Sequence, residues 1–202
     1  MKKAINNTKK VKNILYTGLG DKGTTTLFGC NQERISKSAA IVEALGSVDE
    51  LNAYLGIMKV YLDVDKIFLK TGTKKVFLSS IVEDIQQNLF IIQAELAGVD
   101  MFIKKNELTK IENTINKIGE VLPPITSFTI SGGSVASSGL DFARTLARKS
   151  ERRVVSVSEE GSRKINSNTI SYMNRLSSIL FALSRYSNYI LSIPENHPDY
   201  NK

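Results

Sequence analysis

Residues 134–159 read SVASSGLDFARTLARKSERRVVSVSE, and the periodicity of this stretch decides the fold. Small or apolar residues recur along it at helical spacing, namely Ala136, Leu140, Ala143, Ala147 and Val154. This spacing predicts an amphipathic helix that must bury one stripe against other helices.

A charged strip runs beside the apolar stripe of this segment. Its members fall within roughly 80° of arc at about 100° per residue, and they are Asp141, Arg144, Arg148 and Glu151. Charges that border a core are partly desolvated and therefore need partners. Since arginine forks suit the oxygens of both phosphates and carboxylates, the strip is either a salt-bridge ladder or an anion site. Lys149 and Arg153 point away from the stripe and are expected to be solvated.

The same helical period recurs in four other segments, residues 38–61, 75–97, 107–121 and 168–192. Few segments alternate with period two, and residues 13–16 and 127–130 are expected to be short extended pieces that form no sheet. Stretches rich in glycine or proline separate the helical segments. The predicted fold is all-α, a five-helix bundle with an N-terminal glycine-rich loop, organised as a single domain over residues 1–202.

Charge and composition exclude several classes of protein. The net charge of +7 favours anionic partners in general, but many of the lysines lie in residues 1–13, which are predicted to form a flexible, solvated tail. Because Cys30 and His197 are the single cysteine and histidine, we expect no disulfide, cysteine zinc site or histidine-based triad. No apolar run is long enough for a membrane span and no secretory signal is visible, so a cytoplasmic location is expected.

A glycine-rich stretch precedes the first helix, with residues 16–26 reading YTGLGDKGTTT. Its glycines free the backbone, and successive N–H groups in such a loop can cradle a phosphate. Gly18, Gly20 and Gly23 match the GxGxxG spacing of dinucleotide-binding folds, but that motif must open a helix inside a strand–helix–strand unit. Residues 24–29, which read TTTLFG, are a poor helix start. The residues alone therefore leave two interpretations open, a phosphate loop and a flexible surface loop.

Four ordered blocks resemble the PduO-type family of ATP:cob(I)alamin adenosyltransferases. They are YTGLGDKGTT (16–25), LGSVDELN (45–52), FTISGGS (128–134) with ART (143–145) and RKSER (148–152), and MNRLS (173–177) with LF (180–181). Each block is weak alone, but their order and spacing are specific. The resemblance implies transfer of the 5′-deoxyadenosyl group of ATP to the cobalt of cob(I)alamin, with release of triphosphate. It also implies a homotrimer with active sites between neighbouring subunits.

The resemblance further implies which residues form the site. Those matching ATP contacts are Thr17, Gly18, Leu19, Gly20, Thr25, Thr26, Lys37, Arg148, Lys149, Ser150, Glu151, Arg152 and Asn174. Asp49 and Arg144 match a charge pair near the corrin. Phe128 matches a phenylalanine expected to sit under the corrin and to favour loss of the lower axial ligand. Magnesium is expected to be carried by ATP and not by protein side chains. A reductase and a downstream adenosylcobalamin-dependent enzyme are the implied protein partners.

Four positions depart from the family pattern. Gly18 replaces an arginine or lysine, Ser131 a proline, Lys149 an arginine and Ser178 an aspartate. Gly18 removes a charge from the phosphate loop, which is expected to weaken ATP binding. None of the four is the attacking group, because the substrate supplies the nucleophile, so reduced activity is expected and not its loss.

Three other functions are considered. The chain could be a poorly active homologue that binds ATP, or another ATP-dependent enzyme on the same bundle. It could also be a basic helical-bundle interaction or nucleic-acid-binding module. The last is disfavoured because the arginines border an apolar stripe and no aromatic residues are interleaved with them, so we expect no nucleic acid and no membrane as partner.

Overall fold

The computed structural model describes residues 15–28 and 33–200, most of which lie in five helices. The helices are α1 Ala40–Asp65, α2 Leu78–Ala97, α3 Lys105–Gly119, α4 Val135–Glu159 and α5 Ser167–Ile190. The predicted all-α, five-helix bundle is confirmed, and each helix lies within a few residues of its expected position. The predicted tail, residues 1–13, lies outside the described residues.

Two short antiparallel hairpins accompany the helices, and helical periodicity did not predict them. β1 Thr24–Thr26 pairs with β2 Arg34–Ser36, and β3 Phe68–Thr71 pairs with β4 Lys74–Phe77. The prediction that the second helix begins at residue 75 was wrong, because residues 75–77 pair with residues 68–70 as a strand.

The two expected extended pieces form no strand where they are described. Residues 127–130 lack any strand partner, although the N–H of Ile130 donates to the carbonyl of Asn196 at 2.7 Å. Of the other piece, residues 15 and 16 are described and are irregular. A single short segment without a partner strand cannot form a ladder.

α4 lies between α1 and α5, while α2 packs on α1 and α3 packs on α5. Leucines from α1, α2, α4 and α5 fill the core, including the fully buried Leu51, Leu55, Leu89, Leu140, Leu176 and Leu183. All five residues of the predicted apolar stripe of α4 are buried in this core as well. None of the helices in the described part of the chain is long and apolar enough to span a membrane.

A buried carboxylate joins α2 to the beginning of α5. Glu95 is 7% exposed, and its oxygens accept hydrogen bonds from the N–H of Asn166 and the hydroxyl of Thr169, both at 2.6 Å. Thr169 Oγ1 accepts in turn from the N–H of Ile103 at 3.2 Å, so the segment that leads into α3 is fixed too. A carboxylate at this position also opposes the positive end of the α5 dipole.

Replacing this carboxylate should destabilise the bundle. We expect Glu95→Ala to lower the free energy of unfolding by about 3 kcal/mol, because two buried donors lose a charged acceptor. The matched control is Glu83→Ala, whose half-exposed carboxylate pairs with Lys59 at 3.1 Å; it should cost less than about 1 kcal/mol. Urea unfolding followed by circular dichroism measures both, and equal losses would contradict the assigned role of Glu95.

Candidate active site

Residues 18–23 form two consecutive turns in front of β1. The N–H of Asp21 donates to the carbonyl of Gly18 at 3.2 Å, and the N–H of Gly23 donates to the carbonyl of Gly20 at 3.1 Å. Gly18 has a φ of 69°, a left-handed conformation in which the arginine or lysine typical of the family would be strained. Within the described part of the chain, the N–H groups of Gly18 and Gly20 have no acceptor. They are therefore available to an anion.

Arg34 holds this loop in place, and the sequence motifs did not identify it. Its Nη2 donates to the carbonyl oxygens of Leu19 and Thr24, and its Nε donates to the hydroxyl of Thr24 at 2.8 Å. The contact depends on the β1–β2 hairpin, which places Arg34 opposite Thr26. No local motif signals such a contact, because it depends on pairing between two separate segments.

Lys37 also lies against the glycine loop. Its N–H donates to the carbonyl of Gly23 at 2.9 Å. Its Nζ lies so close to Gly20 that a Cβ atom built on that glycine would be 2.9 Å away. Of the two predicted threonines in β1, Thr25 is partly buried and Thr26 is exposed. The structure thus brings together a lysine and a loop that were predicted from different parts of the sequence.

The predicted cationic residues of α4 differ in their partners. Arg148 and Arg152 are exposed, and among the described residues neither guanidinium has a hydrogen bond or an ion pair. Lys149 is exposed, as expected, and forms a surface ion pair with Glu50 of α1 at 2.5 Å. Both arginines therefore remain available to a ligand, as does Arg153, which points away from the apolar stripe.

Ser150 has a packing role within the chain. It is fully buried, and its hydroxyl donates to the carbonyl of Ser47 on α1 at 2.7 Å. The resemblance implied a side chain that faces ATP, but position 150 continues the buried stripe between Ala147 and Val154. Its hydroxyl therefore fixes α4 against α1.

Glu151 and Asn174, both predicted site residues, are in contact between α4 and α5. The amide of Asn174 donates to Glu151 Oε1 at 2.9 Å, and its Oδ1 accepts from Arg175 at 2.6 Å. Arg175 also pairs with Glu112 of α3 at 3.1 Å. Ser178 stands where the family has an aspartate, and Glu112 supplies the carboxylate that Arg175 needs.

The expected Asp49–Arg144 pair is not formed within the chain. Arg144 Nε pairs with Asp141 Oδ1 one helical turn earlier, at 2.8 Å. Asp49 is exposed on α1 and accepts a hydrogen bond from Gln93 at 3.4 Å. The ladder interpretation of the charged strip thus holds for its first two members.

Phe128 lies on the loop that precedes α4 and is 79% exposed. The C-terminal segment holds this loop, because His197 Nδ1 lies 2.9 Å from the carbonyl oxygen of Phe128. Arg185 anchors the C-terminal segment in turn. It is buried, pairs with Glu195 at 2.5 Å and donates to the carbonyl of Pro123 at 3.1 Å. Sequence patterns did not reveal this support, because its members lie far from Phe128 along the chain.

The turn after Phe128 is fixed by the buried amide of Asn188. Its Oδ1 accepts from the N–H of Ser134 at 3.0 Å, and its Nδ2 donates to the carbonyl of Gly132 at 2.9 Å. Gly133 lies against this amide with a φ of 106°, and a Cβ there would be 2.5 Å from Asn188. A side chain at position 133 would therefore displace the turn that leads into α4.

Most of the predicted residues thus form three groups within one chain: the glycine loop with Lys37, the Phe128 loop, and the α4–α5 group of Arg148, Glu151, Arg152 and Asn174. Asp49 and Arg144 belong to none of these groups. Among the described residues, no hydrogen bond or ion pair links one group to another. Residues 17–20 and Phe128 are largely exposed, as are Arg148 and Arg152.

Comparisons with known proteins identify relatives. The cobalamin adenosyltransferase family model matches residues 15–187. The corrinoid adenosyltransferase PduO of Citrobacter freundii is 38% identical over 85% of this chain and 49% of its own length. The chain therefore spans about half the length of that relative and of the Salmonella typhimurium PduO. The corrinoid adenosyltransferase of Bacillus subtilis is 34% identical over 86% of each chain.

A solved structure supports the same relationship. A variant PduO-type ATP:corrinoid adenosyltransferase from Lactobacillus reuteri, complexed with cobalamin and ATP, superposes with a TM-score of 0.79. It is 31% identical, and the alignment covers 93% of this chain and 97% of that one.

Gly133→Ala should destabilise the Phe128 loop and the start of α4. We expect a loss of about 2–4 kcal/mol, since the left-handed backbone and the clash with Asn188 both oppose a side chain. Gly161→Ala is the control, because Gly161 has a φ of 71° with nothing within 4 Å of the added Cβ; it should cost about 1–2 kcal/mol. Thermal unfolding compares the two variants. A loss of stability in Gly133→Ala no larger than that in Gly161→Ala would show that the Asn188 side chain moves aside without cost.

Proposed function

The chain belongs to the cobalamin adenosyltransferase family, and from this premise we propose that it transfers the 5′-deoxyadenosyl group of ATP to the cobalt of cob(I)alamin. The electron pair of the reduced cobalt forms the new bond to the 5′ carbon of ATP. The bond from that carbon to the triphosphate oxygen breaks, and triphosphate leaves with its electrons. Because the substrate supplies the nucleophile, the protein has to position the reactants and neutralise the leaving group.

The observation that carries this proposal is that a set of anion-binding groups lacks partners at the predicted site. Arg148 and Arg152 have no anionic partner among the described residues, nor does Lys37. The loop N–H groups of Gly18 and Gly20 are available as well. Triphosphate is a polyanion that cationic side chains and successive backbone amides bind together.

We assign the groups as follows. The triphosphate binds to the glycine loop (Thr17, Gly18, Leu19, Gly20), to Thr25 and Thr26, and to Lys37, Arg148 and Arg152. Asn174, oriented by Glu151, contacts the nucleotide, while Lys149 and Ser150 hold this part of α4 against α1. Magnesium is carried by the phosphates of ATP, whose oxygens are ligands that this cation prefers.

The corrin is assigned to the exposed Phe128 loop. An aromatic ring under the corrin excludes the lower axial ligand, and a cobalt without that ligand is easier to reduce to its nucleophilic state. Asp49 and Arg144 are placed beside the corrin. Because they do not pair within one chain, we assign their pairing to neighbouring subunits.

A homotrimer with the active site between subunits fits two features of the chain. The three groups of site residues are not linked within one chain, so a neighbour can complete the site. In addition, α1 exposes an apolar stripe formed by Ile57, Val60, Tyr61 and Val64, at the spacing of one helix face. Such a patch is typical of a protein interface.

We further propose a cytoplasmic enzyme that receives its electron from a reductase and passes its product to an adenosylcobalamin-dependent enzyme.

The decisive experiment is an anaerobic assay of the full chain with ATP, magnesium and chemically reduced cob(I)alamin. The visible spectrum should report adenosylcobalamin, with one triphosphate released per product. Release of diphosphate would indicate another ATP-dependent enzyme. A folded protein that binds neither ATP nor cobalamin would overturn the proposal.

Arg34→Lys should weaken ATP binding although it keeps the charge. Lysine cannot reproduce the forked contact to Leu19 and Thr24, so the glycine loop should lose its fixed shape. The KM for ATP should then rise roughly 10-fold, which corresponds to the loss of one to two hydrogen bonds. The control is Arg153→Lys, because Arg153 is exposed on α4 and has no partner among the described residues. Steady-state kinetics at saturating cobalamin test this, and an unchanged KM would remove Arg34 from the site.

A further inference from the structure

A cavity of about 730 Å³ lies between α2, α3 and the β3–β4 hairpin. No residue assigned to ATP or to the corrin lines it. Its volume falls within the range of roughly 300–1,000 Å³ that is usual for small-molecule sites. Apolar side chains from all three elements line its length, namely Leu69, Val76, Ile81, Ile85 and Ile111.

The deep end of the cavity is polar and incompletely paired. Tyr172 of α5 is 1% exposed and Asn88 of α2 is 6% exposed. The Nδ2 of Asn88 donates to the Tyr172 hydroxyl oxygen at 3.1 Å. Within the described residues, however, the Tyr172 O–H has no acceptor and the Oδ1 of Asn88 has no donor. Both residues line the cavity, so a bound molecule can complete their hydrogen bonds.

The charges around the polar end indicate a neutral ligand. Burial raises the pKa of the Tyr172 hydroxyl, and the carboxylates of Glu107 and Asp84 raise it further, so this group remains a protonated donor. Glu107 Oε2 lies 3.4 Å from Asn88 Nδ2, which disfavours an anion at this end. Lys110 is occupied by Asp84 at 2.7 Å. The other two lysines that line the cavity, Lys105 and Lys117, form no hydrogen bond or ion pair with Asn88, Tyr172 or Glu107.

We propose that this cavity binds a neutral small molecule with an apolar ring body and an amide-type edge. The carbonyl oxygen of the ligand accepts the Tyr172 O–H, and its N–H donates to Asn88 Oδ1. The ring body lies along the apolar walls between Ile85 and Ile111. This site is separate from the proposed adenosyl transfer, and its test does not depend on that reaction.

The probe is naphthalene-2-carboxamide, which joins an apolar bicycle to a primary amide. Calorimetry with the full chain should give saturable binding with a Kd of about 0.1–1 mM, as expected for a ligand of this size. Two matched probes separate the contributions. 2-Acetylnaphthalene keeps the acceptor but has no N–H, and 2-naphthoate is an anion near Glu107. Both should bind roughly 3- to 10-fold more weakly.

The test variant is Tyr172→Phe, which keeps the ring and removes the O–H. It should weaken naphthalene-2-carboxamide binding roughly 3- to 10-fold. Tyr54→Phe is the matched control, since Tyr54 packs edge-on to Phe142 on the α1–α4 side and does not line the cavity; it should leave binding unchanged. Circular dichroism checks that both variants fold. Absence of saturable binding, equal affinity in Tyr172→Phe, or displacement of the probe by ATP would overturn the proposal.

Discussion

The close approach of α4 to its neighbours is the constraint on which the rest of the structure depends. Gly139 lies so near α1 that a Cβ there would be 2.1 Å from the sulfur of Met58. Ser150 on the same helix donates directly to the α1 backbone at Ser47. Small residues at these positions allow two helices to pack at short distance. As a result, Lys149 reaches Glu50 on α1 and the neighbouring Glu151 reaches Asn174 on α5.

This packing also divides the basic residues into two classes. Most arginines near the core have a carboxylate of their own, as Arg144 has Asp141 and Arg175 has Glu112. Such pairs hold neighbouring turns and helices together. Arg148 and Arg152 lie on the exposed side of the same helix and have no such partner among the described residues. A positive charge without a partner raises the local potential, which is what a polyanionic leaving group requires.

The irregular parts of the proposed site owe their shape to side chains from elsewhere. Arg34 fixes the glycine loop through backbone carbonyls, and Asn188 fixes the turn before α4 in the same way. His197 and the Arg185–Glu195 pair hold the Phe128 loop against the C-terminal segment. Loops can position ligands only when a rigid scaffold determines their shape. In this chain the scaffold acts mainly by donating hydrogen bonds to loop carbonyl oxygens.

The sequence by itself determined the helices, because helical periodicity is a local property that each segment carries in its own residues. It also identified the buried stripe of α4, the glycine loop and the likeness to a family. Only the tertiary structure decided the β3–β4 hairpin and the roles of Arg34 and Ser150. It also decided that Arg144 does not pair with Asp49 within one chain, and it placed a cavity beside Tyr172. The roles of Arg34 and Ser150 and the cavity depend on distances between residues in different elements, and no helical spacing along the sequence encodes such distances.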